Sequence, residues 1–135
     1  MKKIISPHVN IYKFPVTAIS SIGNRLTGLA LTGYFVAGGL YTLCPYKEKI
    51  KEHYENLNWK TQKLIHYGFI FPSIYHTFGG LRHFYWDKNP NVLTNIKVQR
   101  SSFALLGISI IATLVSENHF FKKNIKNSPE KGINV

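Results

Sequence analysis

Two histidines interrupt a long apolar stretch of the sequence. Residues 75–87 read YHTFGGLRHFYWD, in which His76 is followed by Arg82 and His83. Histidines seven positions apart share a helix face but lie about 10.5 Å from each other, so they cannot both bind one metal ion. A histidine in an apolar run needs a partner, because an unpaired buried polar group costs about 1–3 kcal/mol. We therefore interpret His76 as an axial ligand of a haem iron.

Arg82 and His83 lie nearer to the end of the same run. Ionisable residues in such a position are often functional, and these two would lie near haem propionates or near a quinone. An ordinary histidine at the membrane interface is an equally open interpretation of His83. The other two apolar runs contain no histidine. A second axial ligand would therefore have to come from a partner chain.

A second group of residues with chemical potential lies closer to the N-terminus. Residues 20–28 read SSIGNRLTG, and Ser21 and Arg25 are four positions apart on one helix face. A hydroxyl can hydrogen-bond a quinone carbonyl, and a guanidinium can stabilise the negative charge that develops on a quinone during its reduction. A helix-capping serine followed by an arginine that binds lipid headgroups is an equally good interpretation of the same two residues.

Three apolar runs provide the elements that would position these residues. They cover residues 26–44, 64–81 and 101–116, and charged residues are nearly absent from each. A membrane-spanning helix needs about 20 apolar residues. The first two runs approach this length, whereas the third, about 24 Å long, is the weakest candidate. A soluble bundle of buried helices is the alternative, but residues 26–44 lack the charged face of a surface helix.

We predict an all-α integral membrane protein with three transmembrane helices, in a bundle completed by a partner anchor subunit. The predicted spans are residues 22–43, 63–86 and 101–121. Together they form a membrane anchor of residues 1–121, which is followed by a polar C-terminal tail of residues 122–135.

Local signals predict the ends of these helices. Two prolines within residues 1–20 break any long helix, so we expect this segment to be an arm at the membrane surface. Ser20 or Ser21 is expected to cap the first span. Residues 45–60 are charged and predict a loop with a short surface helix. Pro72 lies inside the second span and is expected to kink it.

The chain is strongly basic, with a net charge of +11 from 17 Lys and Arg against 6 Asp and Glu. Basic patches can bind nucleic acid, but these residues are scattered over four polar segments and form no dense stripe. We predict no nucleic-acid partner, because anionic lipid headgroups or an acidic partner subunit explain the charge equally well. The positive charges are divided almost evenly between the two sides of the predicted spans, so they do not indicate an orientation.

Three motifs together resemble one protein family. The motifs are SPHVNIY (residues 6–12), SSIGNRLTG (residues 20–28) and FPSIYHTFGGLRHFYWD (residues 71–87). Their order and spacing are similar to those of the cytochrome b large subunit of succinate dehydrogenase, respiratory complex II. The resemblance implies a multi-pass protein of the mitochondrial inner membrane, with a bacterial plasma membrane as the lesser alternative.

The resemblance also implies partners, cofactors and roles for single residues. Such a subunit is not catalytic alone: it anchors the iron–sulfur and flavoprotein subunits together with a small membrane-anchor subunit, and it helps pass electrons to ubiquinone. By their place in the motifs, Ser21 and Arg25 would line the ubiquinone pocket, and His76 would be an axial ligand of haem b. Arg82 and His83 would lie near the haem and the quinone.

Asn24 departs from the family pattern, which has a histidine before the arginine. Asparagine carries no charge and does not titrate, so a role near a haem propionate would be performed differently at this position. Two alternatives stay open for this reason: a purely structural anchor that lacks haem, and the anchor of a fumarate reductase-type quinol enzyme.

Overall fold

The computed structural model describes residues 14–127, with side chains described up to residue 119. In this part of the chain the regular structure is entirely helical, which confirms the all-α prediction. The helices are α1 (Val16–Leu43), α2 (Lys47–Glu55), α3 (Trp59–Lys88) and α4 (Asn95–Asn127), and a 3-10 turn at Pro90–Val92 precedes α4.

Helix α1 begins earlier than the sequence predicts. Pro15 occupies the N-cap position with φ −74°, which the proline ring favours, and this position needs no helical N–H bond. The carbonyl of Pro15 accepts hydrogen bonds from the amides of Ala18 at 3.0 Å and Ile19 at 3.3 Å. The prediction that Ser20 or Ser21 caps this helix is therefore wrong, because both residues lie inside it.

The prediction of an arm over residues 1–20 is wrong for its last five residues. Residues 16–20 belong to α1, and residues 1–13 lie outside the described residues. At its other end α1 stops at Leu43, two residues before Pro45. Pro45 accounts for this end, since a proline cannot continue the helical hydrogen-bond pattern.

The charged segment after α1 forms the predicted short surface helix, α2. It exposes nearly all of its side chains, and Tyr54 is half-buried. Two hydrogen bonds tie its end to α3, because the side-chain amide of Gln62 donates to the carbonyls of Tyr54 (3.0 Å) and Glu55 (3.4 Å). Asn58 caps α3 by accepting a hydrogen bond from the Lys60 amide at 3.2 Å. This cap explains why α3 begins before the predicted span.

The helices α3 and α4 are longer than the apolar runs they contain. They have 30 and 33 residues, which correspond to about 45 and 50 Å. Helix α4 begins at Asn95 rather than near residue 101, because the polar residues before the apolar run are helical as well. Pro72 lies inside α3 as expected, and the kink at this residue remains a prediction.

Small polar residues outnumber large apolar ones among the buried residues of the long helices. Helix α3 packs against both α1 and α4, and α1 also contacts α4. Among the described residues, Tyr75 and Leu105 are the buried hydrophobic side chains, whereas most leucines, isoleucines and phenylalanines face outward. The buried polar residues are Ser20, Ser102, Ser109, Thr113 and Glu117. Small polar residues at helix contacts and an apolar exterior are typical of bundles in lipid.

Two of the described helices are long and apolar enough to cross a membrane. They are α1 and the segment Asn95–His119 of α4. The latter contains the run that the sequence suggested was the weakest span, and it qualifies because its apolar stretch is free of charged residues from 101 to 116. Helix α3 is not among the qualifying helices, so the third span remains a prediction.

Candidate functional site

Arg82 connects all three long helices at one end of the bundle. From α3, its Nη1 donates a hydrogen bond to Oγ of Ser102 in α4, and its Nη2 donates to Oγ of Ser20 in α1, both at 3.1 Å. The guanidinium also lies over the ring of Trp86, 4.5 Å from the ring centroid. Its Nε is buried without a hydrogen-bond partner. The Arg82 guanidinium therefore links α3 to both α1 and α4.

Tyr75 reaches the same serine from the interior. It is 5% exposed, and its hydroxyl lies 3.1 Å from Oγ and 3.3 Å from the carbonyl of Ser20, which is itself 5% exposed. Tyr75 and Arg82 are seven positions apart, so both face α1 from the same side of α3. Ser20, Tyr75, Arg82 and Ser102 make up a group that we call the Arg82 cluster.

A cavity of about 240 Å³ opens beside the Arg82 cluster. Its walls are largely apolar, and hydroxyl groups of the cluster lie at its edge. A cavity of this kind accepts an apolar ring or chain. The residues that line it include Ser20, Gly23 and Thr27 of α1, Phe71 and Tyr75 of α3, and Leu106 of α4.

The ring of His76 lies against α1 and is held there by a hydrogen bond. Its Nδ1 lies 2.9 Å from the backbone carbonyl of Asn24. Because a carbonyl can only accept, Nδ1 must donate its proton, and the lone pair is left on Nε2. Gly28 leaves room for the ring, since a Cβ at this position would lie 2.7 Å from Cε1 of His76. Metal-binding histidines are typically held in this way by a hydrogen bond from their other nitrogen.

Asn24 contributes to the contact between α1 and α3 through two groups. Its carbonyl accepts the hydrogen bond from His76. Its side chain packs against Gly79 so closely that a Cβ at position 79 would overlap the amide. The side-chain oxygen is buried and accepts no hydrogen bond from the described residues. The structure thus places the Asn24 side chain between the helices, with its amide against Gly79.

The structure does not bring the remaining predicted site residues into this interior. Ser21 is half-buried and Arg25 is exposed on α1, and neither lines the cavity. His83 is exposed, and its ring meets the edge of Trp86 at a centroid distance of 5.2 Å. A site that includes Ser21 and Arg25 would therefore be open to a partner subunit or to lipid.

A second polar group lies at the opposite end of the bundle. The hydroxyl of Tyr54 is 2.7 Å from Nε2 of His66, and Nδ1 of His66 is 3.8 Å from Oε2 of Glu117. The Glu117 side chain is fully buried. Burial and the nearby Glu117 charge raise the pKa of Tyr54 above its ordinary value of 10.0. We call these three residues the Glu117 cluster.

Sequence reasoning missed most members of both clusters. The spacing of Tyr75 and Arg82 was a usable signal, because a tyrosine and an arginine seven apart share a helix face. Glu117 gave a weaker signal as the acidic residue that directly follows the third apolar run. Ser20 and Ser102 gave none, because each has a second serine beside it in the sequence and serines are common in helices of this kind.

The residues around His76 suit a haem better than a metal centre built from this chain alone. Among the described residues, no group of three or more His, Cys, Asp or Glu could hold a metal ion. A haem iron needs only axial protein ligands, and His76 offers a free Nε2 in a fixed orientation. The fold is that of a helical membrane subunit in which α3 places the ring of His76 against α1.

Comparisons with known proteins assign this subunit to a family. The family described as succinate dehydrogenase/fumarate reductase transmembrane subunit matches residues 1–116. The succinate dehydrogenase cytochrome b560 subunit of Reclinomonas americana is 32% identical over 127 residues, which cover 83% of this chain and 82% of that protein. The chain belongs to the family of succinate dehydrogenase/fumarate reductase transmembrane subunits.

Two further relatives agree with this assignment. The mitochondrial succinate dehydrogenase cytochrome b560 subunits of Dictyostelium discoideum and Bos taurus are 31% and 29% identical to this chain, over 82% and 84% of its length. The matches span 61% of the Dictyostelium protein and 69% of the bovine protein. The resemblance of the three motifs to the cytochrome b large subunit of complex II is confirmed.

Proposed function

We propose that this chain is the membrane-anchor cytochrome b subunit of a succinate:ubiquinone oxidoreductase in the mitochondrial inner membrane. The names of the relatives support this proposal, since each is a succinate dehydrogenase cytochrome b560 subunit. Those names also favour succinate oxidation over a fumarate reductase that runs the reverse reaction. In this proposal α1, α3 and α4 are the three membrane spans, and α3 tolerates its polar residues because it packs against both neighbours.

The proposed partners are the iron–sulfur subunit, the flavoprotein subunit and the small membrane-anchor subunit of complex II. The surface of this chain leaves room for them and for lipid. Residues 32–43 of α1 are exposed throughout, and many of them are large and apolar. In a membrane this surface would be covered by lipid chains and by the small anchor subunit.

The observation that carries the proposed haem role is the orientation of His76. The carbonyl of Asn24 holds Nδ1 at 2.9 Å, so Nε2 keeps the lone pair that a metal ion requires. Gly28 allows the imidazole to lie against α1. A bound haem b would supply reversible one-electron transfer. In this role Asn24 acts through its backbone, so the loss of the family's histidine side chain leaves the support of His76 in place.

The proposed quinone role rests on Ser21 and Arg25. Both lie in the first half of α1, and Arg25 is exposed, so a partner subunit can complete a site around them. The Ser21 hydroxyl would donate a hydrogen bond to a ubiquinone carbonyl. The Arg25 guanidinium would stabilise the negative charge that develops on the quinone oxygen as electrons arrive from the iron–sulfur subunit.

An optical spectrum tests the haem role. We expect the reduced-minus-oxidised spectrum of the purified complex to show a b-type haem, with about one haem per complex in a pyridine haemochrome assay. His76→Ala should abolish the signal, whereas His53→Ala should retain it, because His53 is exposed in α2. Haem that persists in His76→Ala, or a quinone-reducing complex without haem, would show that His76 is not an axial ligand.

Quinone reductase kinetics test the second role. Arg25→Ala should lower kcat/KM for ubiquinone by about a hundredfold, since it removes a group that stabilises developing charge. Succinate oxidation with a dye that accepts electrons before the membrane subunits should be unchanged. The matched control is Arg100→Ala, an exposed arginine of α4. Unchanged ubiquinone reduction in an intact Arg25→Ala complex would instead support a purely structural anchor.

A further inference from the structure

Glu117 is buried in a way that needs an explanation. Its side chain is 0% exposed in this chain alone, so its burial does not depend on a partner subunit. Neither carboxylate oxygen accepts a hydrogen bond in the part of the chain that the structure describes. Burying a carboxylate without hydrogen bonds is costly, and ionisable groups inside a membrane bundle are usually functional.

His66 and Tyr54 connect this carboxylate to the surface. Nδ1 of His66 is 3.8 Å from Oε2 of Glu117, and Nε2 on the other side of the same ring is 2.7 Å from the Tyr54 hydroxyl. Tyr54 is half-buried in α2, whose other residues are exposed. The three side chains therefore form a row from the surface helix to the buried acid.

The contact between His66 and Glu117 lies within ion-pair distance but is longer than a hydrogen bond. A hydrogen-bonded pair would have a nitrogen–oxygen distance of about 2.9 Å, whereas His66 and Glu117 are 3.8 Å apart. A shift of about 1 Å in either side chain would make the contact. On α4 itself, one turn before Glu117, the buried hydroxyl of Thr113 donates to the carbonyl of Ser109, so it does not neutralise the acid.

We propose that Tyr54, His66 and Glu117 form a proton-transfer path, with Glu117 as a buried proton-binding site. The proton on Nδ1 of His66 moves to Oε2 of Glu117, and Nε2 takes the proton of the Tyr54 hydroxyl. The Tyr54 oxygen takes a proton from water, which leaves a hydroxide ion in the solvent. The net result is the transfer of one proton from water to the carboxylate, and the reverse steps return it. Histidine suits this role because its two nitrogens can exchange protons on opposite sides.

The raised pKa of Tyr54 agrees with this geometry. Its hydroxyl therefore holds the proton that the contact with His66 requires. The inference does not rest on the proposed function, because it involves neither His76 nor Ser21 and Arg25.

Infrared spectroscopy of the intact membrane complex tests the path. A protonated carboxyl group has a C=O stretching band that shifts when its proton is replaced by deuterium. We expect one such band to disappear in Glu117→Gln. Transfer of the wild-type complex into D2O should shift this band about a hundredfold faster than in His66→Gln, since a positioned acid–base group accelerates proton transfer by about that factor or more. Tyr54→Phe should slow the exchange as well.

A neighbouring histidine provides the matched control. His53→Gln lies next to Tyr54 in α2 but is exposed, and it should leave the exchange rate unchanged. If Glu117→Gln does not assemble, Glu117→Asp will assign the band through a change in its frequency. The absence of any band due to residue 117 across the accessible pH range, or equal exchange rates in wild type and His66→Gln, would overturn the proposal.

Discussion

The two ends of the bundle each place an ionisable side chain between helices, half-buried at Arg82 and fully buried at Glu117, and the two side chains are held in opposite ways. In the Arg82 cluster, the guanidinium donates to the hydroxyls of Ser20 and Ser102 at 3.1 Å each. In the Glu117 cluster, the carboxylate is completely buried, accepts no hydrogen bond from the described residues, and lies 3.8 Å from His66. The Arg82 guanidinium is hydrogen-bonded to both neighbouring helices. The Glu117 carboxylate has His66 nearby, but at a distance longer than a hydrogen bond.

This difference separates a structural contact from a reactive one. A cation that is hydrogen-bonded to two other helices stabilises a single arrangement of the three. A carboxylate that is buried without hydrogen bonds costs stability, and in the proposed path its role is to exchange a proton. Substitutions in the Arg82 cluster should therefore change the free energy of unfolding most, and those in the Glu117 cluster should change the response to pH.

The largest expected effect is that of Arg82→Ala. It should lower the free energy of unfolding by about 3 kcal/mol, because two hydrogen bonds from a charged group are lost and each is worth about 1.5–3 kcal/mol. Denaturant unfolding of the protein in detergent micelles measures this change. Arg82→Lys should recover only part of it, since one ammonium cannot reproduce the planar fork. A loss no greater than that of the exposed control Arg100→Ala would remove the distinction between the two ends.

A smaller effect is expected midway between the clusters, at Gly28→Ala. The new Cβ would lie 2.7 Å from Cε1 of His76, so the ring or α1 must move. Overpacking of this kind costs about 1–3 kcal/mol, and we expect haem content to fall with it. Gly33→Ala is the control, because no heavy atom lies within 4 Å of a Cβ there. Equal unfolding free energies and haem contents in the two variants would contradict the close approach of α3 to α1.

Tyr75→Phe should lower the free energy of unfolding by about 1 kcal/mol. It removes only the hydroxyl that lies 3.1 Å from Oγ of Ser20, and a neutral hydrogen bond contributes about that much. The same unfolding assay applies, with Tyr85→Phe as the exposed control. Identical midpoints for the two variants would mean that Arg82 alone holds Ser20.

The smallest expected effect is a pH dependence of the free energy of unfolding, which Tyr54 introduces in the Glu117 cluster. Its pKa is raised by burial and by the charge of Glu117. Above pH 10.0, the ordinary tyrosine value, an unfolded Tyr54 loses its proton while the folded one keeps it. Stability from this source is thus complete below that pH and is lost as pH rises through the raised pKa.

Ultraviolet difference absorbance measures the titration of Tyr54. The Tyr54 signal, identified by its loss in Tyr54→Phe, should titrate at a higher pH than the Tyr46 signal, identified by its loss in Tyr46→Phe. Tyr46 is exposed and lies next to the same helix. Glu117→Gln should bring the Tyr54 signal closer to the ordinary value by removing the nearby charge. Coinciding titrations of Tyr54 and Tyr46 would argue against the burial of Tyr54.

The site was predictable where local spacing controls it. The apolar run around His76 predicted a helix, which is α3, and the role of His76 as a ligand stays a prediction. The helix starts were less predictable, because Pro15 and Asn58 extend α1 and α3 beyond the apolar runs through capping. The hydrogen bond that fixes His76 was not predictable, since its acceptor is the backbone carbonyl of Asn24, and every residue has such a carbonyl.

The sequence by itself determined that the chain is helical, that its long helices have apolar surfaces, and that a few polar residues interrupt them. These properties follow from residue type and from the repeat of 3.6 residues per turn. Only the tertiary structure decided that Ser20, rather than Ser21, faces Arg82. Adjacent helix positions point about 100° apart, so the partner of each side chain depends on how the helices pack, which no local pattern records.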